Sequence, residues 1–420
     1  MLRLLFASLR FVLALPFTLT RYALARLRPR DVVLQLDLDA LHPLFTQPAH
    51  LLARLQGQTP RLDQLTLLAR LERARDDDRV QAIYVRIGAL RGGWATHFGL
   101  REAIRLAAER PNCRVVAFVA QPDLRSLWLA SAADEVWLPP DVPVTSQGFG
   151  AEVTFFGEAL DRAGVEVDVL TAGAYKAALE PFTRTEPSPA NAEMIRALLQ
   201  SMRQVVEAEI GGRRGEDVEL DLLGGGPAQP EVFVETGLAD AIVPEEQVRE
   251  RLGCPEDGDT RLVGLEDYAG PVRPWPRWPR RPARLGLIEI KGLIKDGRGP
   301  GPTDRAVVAA CDAARRDDRV RGVLLHIDSG GGSATASERM WRAVRALSAE
   351  KPVVALLGDT AASGGYYVAT AARQIVCPPT TLTGSIGVLA AKPVAAGLLA
   401  RLGIHQTRFE LHPRATMFSA

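Results

Sequence analysis

The sequence predicts an α/β fold of two tandem domains, each with a parallel sheet and crossover helices. With 420 residues, 47% of them hydrophobic and 24% charged, the chain is long enough for two or three folded domains. Short apolar runs alternate with helical stretches, the pattern of parallel strands joined by helices. The predicted strands are 32–38, 82–87, 115–119, 285–290, 322–327 and 353–357.

An internal repeat supports the two-domain prediction. LERARDDDRVQAIYVRI (71–87) matches CDAARRDDRVRGVLLHI (311–327), and ASAADEVWLPP (130–140) matches ATAARQIVCPP (369–379). The two matches are 240 and 239 positions apart, and a period of domain size indicates a duplicated domain rather than a solenoid. We therefore expect a first α/β domain at 31–266 and a second at 284–420.

The N-terminal segment, 1–30, predicts association with a membrane surface. Its longest uncharged run, 11–20, is too short for the roughly 20 residues that a spanning helix needs. On a helix its arginines form one basic stripe on a mostly apolar cylinder, which favours a helix lying in the membrane plane; they are Arg3, Arg10, Arg21 and Arg28. A cleaved signal peptide and a buried helix are the alternatives.

The segment 267–283 is predicted to link the two domains. It carries prolines at 271, 274, 276, 279 and 282, which favour an extended path, among arginines and two tryptophans.

Charge and cysteine content exclude two classes of function. Lysine and arginine number 51 against 50 acidic residues, so no nucleic-acid partner is expected. The cysteines lack the spacing of a zinc site or a disulfide framework, so we expect small core residues; they are Cys113, Cys254, Cys311 and Cys377.

A glycine cluster follows the predicted strand 322–327, in the sequence DSGGGS. Gly331 and Gly332 leave backbone N–H groups open near a helix N-terminus, which suits an anion. No P-loop motif accompanies them, so an oxyanion hole is the alternative to phosphate binding, and a plain tight turn is a third interpretation.

Ser363 stands between small residues in GDTAASGGYYVATAA, after the strand 353–357. Ser363 is either a nucleophile or a helix cap. If it is a nucleophile, the N–H of Gly364 would donate to the oxyanion formed in the reaction. Among the histidines, His405 and His412 are candidate bases. The other candidate is Lys176, whose apolar neighbours in TAGAYKAALEPF predict burial and a lowered pKa; an exposed lysine is the alternative.

DTAASGGYYVA, HIDSGGGSA, TLTGSIGV and AGAYKAALEPFT together resemble the bacterial signal peptide peptidase family, also called protease IV, in its tandem-domain form, over about residues 30–420. The resemblance implies a Clp/crotonase-like fold in both domains and a membrane-bound homo-oligomer without metal or organic cofactor. It also implies an acyl-enzyme serine endopeptidase acting on apolar peptides such as cleaved signal peptides. By match of motif, Ser363 is the nucleophile, Lys176 the general base and Ser385 a hydroxyl that orients the lysine.

The duplication agrees with a shared site. At the 239-residue offset Ser363 corresponds to Leu124 and Lys176 to Ala415, so each half retains one member of the pair. We expect Gly331 and Gly364 to donate to the oxyanion, with Gly332 as the neighbouring candidate.

Two departures from the family pattern keep alternatives open. Gly330 replaces the usual proline of the glycine turn, and the second half ends at Ala420, where the first half continues, so the second domain is expected to be incomplete. A non-catalytic membrane scaffold and a crotonase-like acyl-CoA enzyme are the rival functions.

The membrane side is ambiguous in the sequence. The resemblance places the catalytic body outside the cytoplasm at the inner membrane, and we adopt that side. The arginines after the apolar run outnumber those before it, which by the positive-inside tendency favours the cytoplasm.

Overall fold

The computed structural model describes residues 31–39, 63–75, 77–111, 113–215, 218–255, 260–268, 270, 283–412, 414–417 and 419, together with 12, 14–20 and 44. These residues form two compact units. Unit 1 comprises Met1–Gly148 and Gln204–Pro282, and unit 2 comprises Phe149–Arg203 and Ala283–Ala420.

The strands and helices are numbered in chain order. The strands are β1 (Val32–Leu38), β2 (Val80–Ile87), β3 (Arg114–Val119), β4 (Glu135–Leu138), β5 (Val144–Ser146), β6 (Glu166–Thr171), β7 (Gly226–Ala228), β8 (Ala241–Ile242), β9 (Arg261–Gly264), β10 (Arg284–Lys291), β11 (Val320–Ser329), β12 (Val353–Ala362), β13 (Gln374–Val376), β14 (Leu382–Gly384) and β15 (Leu389–Val394). The helices are α1 (Gln64–Arg75), α2 (Trp94–Ala108), α3 (Leu124–Ala130), α4 (Gly157–Ala163), α5 (Glu180–Thr183), α6 (Pro189–Arg214), α7 (Pro230–Glu235), α8 (Val248–Arg251), α9 (Asp304–Arg316), α10 (Ala334–Glu350), α11 (Gly364–Ala369) and α12 (Ala396–Arg401).

Unit 1 is built on a six-stranded parallel sheet with the order β8-β4-β3-β2-β1-β9. Its central strands are apolar on both faces: Val115 to Val119 of β3 are all buried, as expected for a sheet covered on both sides. One face packs Tyr84, Phe118 and Trp137 against Val248 and Cys254. A short antiparallel pair, β5 with β7, completes the unit.

Unit 2 has a parallel sheet with the order β10-β11-β12-β13, and β14 pairs with the end of β12. Alternate residues of the strands, such as Ile290, Leu325 and Ala355, pack against α9, α10 and α11 in one core. A separate two-stranded antiparallel ribbon joins β6 to β15. This arrangement brings the carboxyl end of β12 and the loop after β14 side by side.

The predicted fold class is confirmed. Each of the six strands expected from the sequence lies within an observed strand, and both large sheets are parallel with helical connections. Strand positions were predictable because the apolar runs are short, β-branched and bounded by turns.

The grouping of one segment differs from the predicted domain boundaries. Residues 149–203, assigned by sequence to the first domain, belong to unit 2 because β6 pairs with β15. The predicted linker at 267–283 and the N-terminal segment at 1–30 lie largely outside the described residues; residues 12 and 14–20 are helical.

The cysteine prediction holds for three residues and is wrong for the fourth. Cys113, Cys254 and Cys311 are buried, whereas Cys377 is exposed because it follows the short edge strand β13. Within the part of the chain that the structure describes, no helix combines the length and apolar character that crossing a bilayer requires.

Candidate active site

Ser363 lies between β12 and α11 in a strained backbone conformation. Its φ is 52° and its ψ is −118°, a region that costs a non-glycine residue about 1–3 kcal/mol. The Ser363 N–H donates to Gly384 O at 2.9 Å, and its carbonyl accepts from the Tyr367 N–H at 2.8 Å. The side chain makes no capping hydrogen bond, so the helix-cap interpretation is wrong. Two backbone hydrogen bonds therefore fix Ser363, and its hydroxyl remains available to groups outside the helix.

Lys176 is buried, with 6% of its surface exposed, and its amine faces Ser363. The Nζ atom donates to Ser363 Oγ at 3.2 Å, to Ser385 Oγ at 2.9 Å and to Ser385 O at 2.5 Å. Within unit 2 as described, no carboxylate forms an ion pair with this amine. Burial lowers the pKa of Lys176, because removal from water disfavours the charged ammonium form. The exposed-lysine alternative is wrong.

Ser385 provides two of the oxygen atoms that hold the amine. It follows β14 and has a φ of 51°; across the described chain, the non-glycine residues with positive φ are Ser363 and Ser385. Strain at two residues that contact one amine indicates that the surrounding structure holds them for a purpose other than stability.

The glycine turn of DSGGGS packs directly against Ser363. A Cβ at Gly331 would lie 2.6 Å from Gly364 N and 2.9 Å from Ser363 Cβ, so this position must be glycine. Its φ of 98° also favours glycine.

The structure changes the expected oxyanion donors. The Gly331 N–H donates to Ser329 Oγ at 3.1 Å and is therefore engaged. Among the described residues we find no acceptor for the N–H of Gly332 or Gly364, and both glycines line the same cavity as Ser363. The N–H groups of Gly332 and Gly364 are therefore better placed to donate together to an oxyanion than the expected pair, Gly331 and Gly364.

Sequence reasoning missed the two serines that shape this turn. Buried Ser329 donates to Gly292 O at 2.6 Å while accepting from Gly331, and Ser337 Oγ lies 2.3 Å from where a Cβ on Gly364 would be. Ser329 stands in the quoted DSGGGS motif, so its position was visible; the role of Ser337 depends on packing and was not.

No histidine faces the Ser363 hydroxyl in the described chain. His326 lies beside Glu289, at 3.6 Å between Nδ1 and Oε1, and His405 and His412 are exposed and do not line the cavity. The histidine candidates are therefore not brought to the serine.

A cavity of about 500 Å³ opens over Ser363 and Lys176. Its walls are mainly apolar and aromatic, with Tyr366 and Tyr367 of α11 on one side and Ile386, Val388 and Leu389 on the other. Tyr367 stacks on Trp341 with ring centroids 5.9 Å apart, and its hydroxyl donates to Glu338. The cavity combines the Ser363 hydroxyl, the buried Lys176 amine and the open N–H groups of Gly332 and Gly364 in a mainly apolar setting, which suits acyl transfer.

The sequence profile of Peptidase family S49 matches residues 108–252 and 345–417, more than half of the chain. This chain belongs to peptidase family S49. The second matched segment contains Ser363 and Ser385, and the first contains Lys176.

Several curated proteins are similar along much of the chain. The chloroplastic serine protease SPPA of Arabidopsis thaliana is 31% identical over 346 residues, which is 79% of this chain and 50% of that protein. Protease 4 of Salmonella typhi is 31% identical over 69% of this chain and 49% of its own length, and Protease 4 of Haemophilus influenzae is 28% identical over 69% and 50%. The chain thus spans about half the length of the curated relatives it matches.

Solved structures resemble parts of the chain weakly. An enoyl-CoA hydratase/isomerase family member is 21% identical with a TM-score of 0.21, covering 29% of this chain and 50% of that one. A mutant of the 1510-N membrane-bound stomatin-specific protease is 9% identical with a TM-score of 0.29, covering 56% and 98%.

Proposed function

We propose that this chain is a serine endopeptidase that uses Ser363 as nucleophile and Lys176 as general base. The contact that carries the proposal is the 3.2 Å hydrogen bond between Lys176 Nζ and Ser363 Oγ inside an apolar cavity. Family membership supports peptidase chemistry, and the lowered pKa of Lys176 supports an amine that accepts a proton.

The proposed reaction has two steps. The neutral Lys176 amine takes the Ser363 proton as Oγ attacks the scissile carbonyl, and the resulting ammonium returns that proton to the leaving amine as the C–N bond breaks. Water, deprotonated by the same amine, then attacks the acyl ester, and Ser363 regains its proton as the acid product leaves. The oxyanion formed in each step accepts hydrogen bonds from the Gly332 and Gly364 N–H groups.

Ser385 would position the base rather than react. Its Oγ and carbonyl hold Nζ at 2.9 Å and 2.5 Å, which directs the amine toward Ser363 Oγ. Because all three contacts come from neutral oxygens, they restrain the amine without the charge of a carboxylate, which would raise its pKa.

The walls of the cavity favour apolar peptide segments as substrates. Ile386, Val388 and Leu389 offer no charge to a substrate side chain. Together with the family, this supports cleaved signal peptides at the inner membrane as the substrate class, reached through the predicted N-terminal membrane segment. The acyl-CoA alternative would leave the contact between Lys176 and Ser363 without a role.

A serine-directed acylating probe tests the pair on the full chain. Ser363→Ala should abolish labelling, and Lys176→Met, which keeps the apolar stem, should slow it by roughly 10²- to 10⁴-fold. Lys291→Met is the matched control, since the Lys291 side chain is 58% exposed and should be dispensable.

The pH profile of labelling identifies the base. The rate should rise with pH as Lys176 loses its proton and level off above the folded pKa, which burial places below the ordinary value of 10.5. Equal rates for Lys176→Met and the parent, or loss of labelling in His405→Ala or His412→Ala instead, would rule out the serine/lysine assignment.

A further inference from the structure

We propose that Asp304 is a positioning residue for the reaction: its buried carboxylate fixes a glycine-rich loop, 295–303, and this loop holds Ile294 against the proposed oxyanion donor Gly332. The inference rests on the proposed function, because it assigns the support of a group that acts there. Asp304 does not line the cavity that contains Ser363, so its effect on the reaction must pass through the loop.

The backbone of Ile294 brackets the glycine turn. The Ile294 N–H donates to Gly331 O at 2.8 Å, and the Ile294 carbonyl accepts from the Ser333 N–H at 3.0 Å. Gly332 lies between these two hydrogen bonds, and a Cβ on it would lie 2.2 Å from Ile294 O. The direction of the Gly332 N–H therefore depends on where Ile294 lies.

The loop that follows Ile294 has the sequence KDGRGPGPT, 295–303. The Lys295 N–H donates to Pro302 O at 3.1 Å and the Asp304 N–H donates to Lys295 O at 3.2 Å, so the two ends of the loop pair with each other. Between these ends, three glycines have positive φ: Gly297, Gly299 and Gly301. Because glycine loses more conformational freedom on ordering than any other residue, such a loop needs further contacts to keep one conformation.

Asp304 supplies such contacts. It is buried, with 3% of its surface exposed. Its Oδ1 atom accepts from the N–H groups of Gly297 and Arg305, each at 2.8 Å, and its Oδ2 atom accepts from Arg339 Nη1 at 2.7 Å. Hydrogen bonds of this kind offset the cost of burying a carboxylate. Asp304 thereby joins the loop to the start of α9 and to α10.

A second set of contacts ties the same loop to the beginning of α10. Asp296 Oδ1 accepts from Thr335 Oγ1 at 3.1 Å and from Arg339 Nη1 at 3.5 Å. Thr335 Oγ1 also lies 3.0 Å from Oγ of Ser333, the residue that follows Gly332. Arg339 therefore bridges two loop-supporting carboxylates from the helix that begins just after the glycine turn.

The Gly332 N–H is sensitive to small movements of this support. An oxyanion donor acts at about 2.7–3.1 Å from the oxygen, and a displacement of ~1 Å at a catalytic group can slow a reaction by about 10²-fold. Loosening the loop should therefore lower the rate without removing any group that reacts.

The charge of Asp304 does not change in the pH range of the reaction. The hydrogen bond from Arg339 holds the pKa of Asp304 below its ordinary value of 3.8, so the carboxylate stays ionised while Lys176 titrates. A positioning role for Asp304 thus predicts a change in the height of the pH profile and not in its midpoint.

Kinetics of the full chain on a blocked apolar peptide p-nitroanilide test the inference. Asp304→Asn should lower kcat by about 10- to 100-fold, with KM within about twofold and the pH midpoint unchanged. Asp317→Asn is the matched control, because Asp317 lies just beyond the other end of α9 with its own partner, Arg319, at 3.1 Å, and this variant should keep the parental kcat.

Arg339 variants carry the test should Asp304→Asn fail to fold. The Arg339 side chain is 59% exposed, so Arg339→Met should fold like the parent and lower kcat in the same way. Arg339→Lys, which keeps the charge, should recover part of the rate.

A tetrahedral analogue separates positioning from a merely structural role. A boronic acid of the same peptide binds Ser363 Oγ through boron as Lys176 takes the hydroxyl proton, and one boron oxygen then stands where the oxyanion would. In Asp304→Asn and Arg339→Met the affinity for the boronic acid should fall by the same factor as kcat. The affinity for the corresponding peptide amide, which binds without forming an oxyanion, should not change.

The possible failures are distinguishable. Parental kcat in the folded variants, an equal loss of affinity for boronic acid and amide, or a shifted pH midpoint would overturn the role of Asp304. Cleavage of the anilide by Ser363→Ala at the parental rate would instead overturn the catalytic proposal on which that role rests.

Discussion

At the 239-residue offset of the sequence repeat Leu124 matches Ser363, yet the helices that begin at these two places start with different backbone conformations. In unit 1, Asp123 precedes α3 in an extended conformation, with φ −120° and ψ 173°, and its carboxylate accepts from the Ser126 N–H at 2.7 Å. In unit 2, Ser363 precedes α11 with a φ of 52° and without a side-chain cap. The half without a hydroxyl has a relaxed, capped helix start, and the half with one has a strained start.

The comparison shows that a strand-to-helix connection at this point does not need strain. An N-cap such as Asp123 stabilises a helix by about 1 kcal/mol, whereas the Ser363 conformation costs about 1–3 kcal/mol. The strain in unit 2 accompanies the presentation of Oγ to Lys176 and of the Gly364 N–H to the cavity. The following predictions test this difference, in order of decreasing effect.

Gly364→Ala should have the largest effect of the three. A Cβ there would lie 2.3 Å from Ser337 Oγ and would move the N–H that we propose as an oxyanion donor, so acylation of Ser363 should fall by about 10²- to 10³-fold. Arg125, the equivalent residue in unit 1, carries a long side chain over the Trp94 ring, and Arg125→Ala should leave acylation unchanged.

Steric relief provides the control for Gly364→Ala. Adding Ser337→Ala removes the Oγ atom and leaves 3.3 Å to the Cβ, so the double variant should recover part of the rate. If the double variant recovered no acylation rate, the position of the Gly364 N–H would not be what controls the reaction.

Ser385→Ala and Ser146→Ala should separate positioning from stability. Ser385→Ala removes the 2.9 Å contact to Lys176 and should lower the maximal rate about tenfold or more, with little change in KM. Ser146 is buried and donates to Leu223 O at 2.7 Å, so Ser146→Ala should lower the free energy of unfolding by about 1–3 kcal/mol and leave acylation unchanged. The reverse pattern would contradict the assigned role of Ser385.

Glycine and alanine at the two equivalent positions should shift stability in opposite directions. Ser363→Gly should be more stable than Ser363→Ala by about 1 kcal/mol, because glycine adopts positive φ without strain. Leu124→Gly should be less stable than Leu124→Ala by about 1 kcal/mol, because Leu124 begins a regular helix. Thermal unfolding of the four variants measures both differences, and equal signs would mean that strain at Ser363 does not affect stability.

Much of the site could be predicted from motifs, and the errors have physical causes. Ser363 and Lys176 were singled out from their neighbouring residues and Ser385 from the family resemblance, and the three do meet in the structure. Gly331 was expected to donate to an oxyanion, but its N–H is bonded to Ser329 Oγ, a choice between neighbouring glycines that sequence cannot resolve. Cys377 was expected in the core, but an apolar run at a sheet edge can face solvent.

The sequence by itself determined the parallel α/β fold, the strand positions and the residue types of the site, because apolar periodicity, glycine and small-residue motifs act over a few neighbouring residues. Only the tertiary structure decided that Lys176 meets Ser363 and Ser385, which are 187 and 209 residues away along the chain. That meeting depends on the pairing of β6 with β15 and of β12 with β14, and on the positive φ of two serines. Such long-range contacts are set by the packing of whole strands, and no local pattern encodes them.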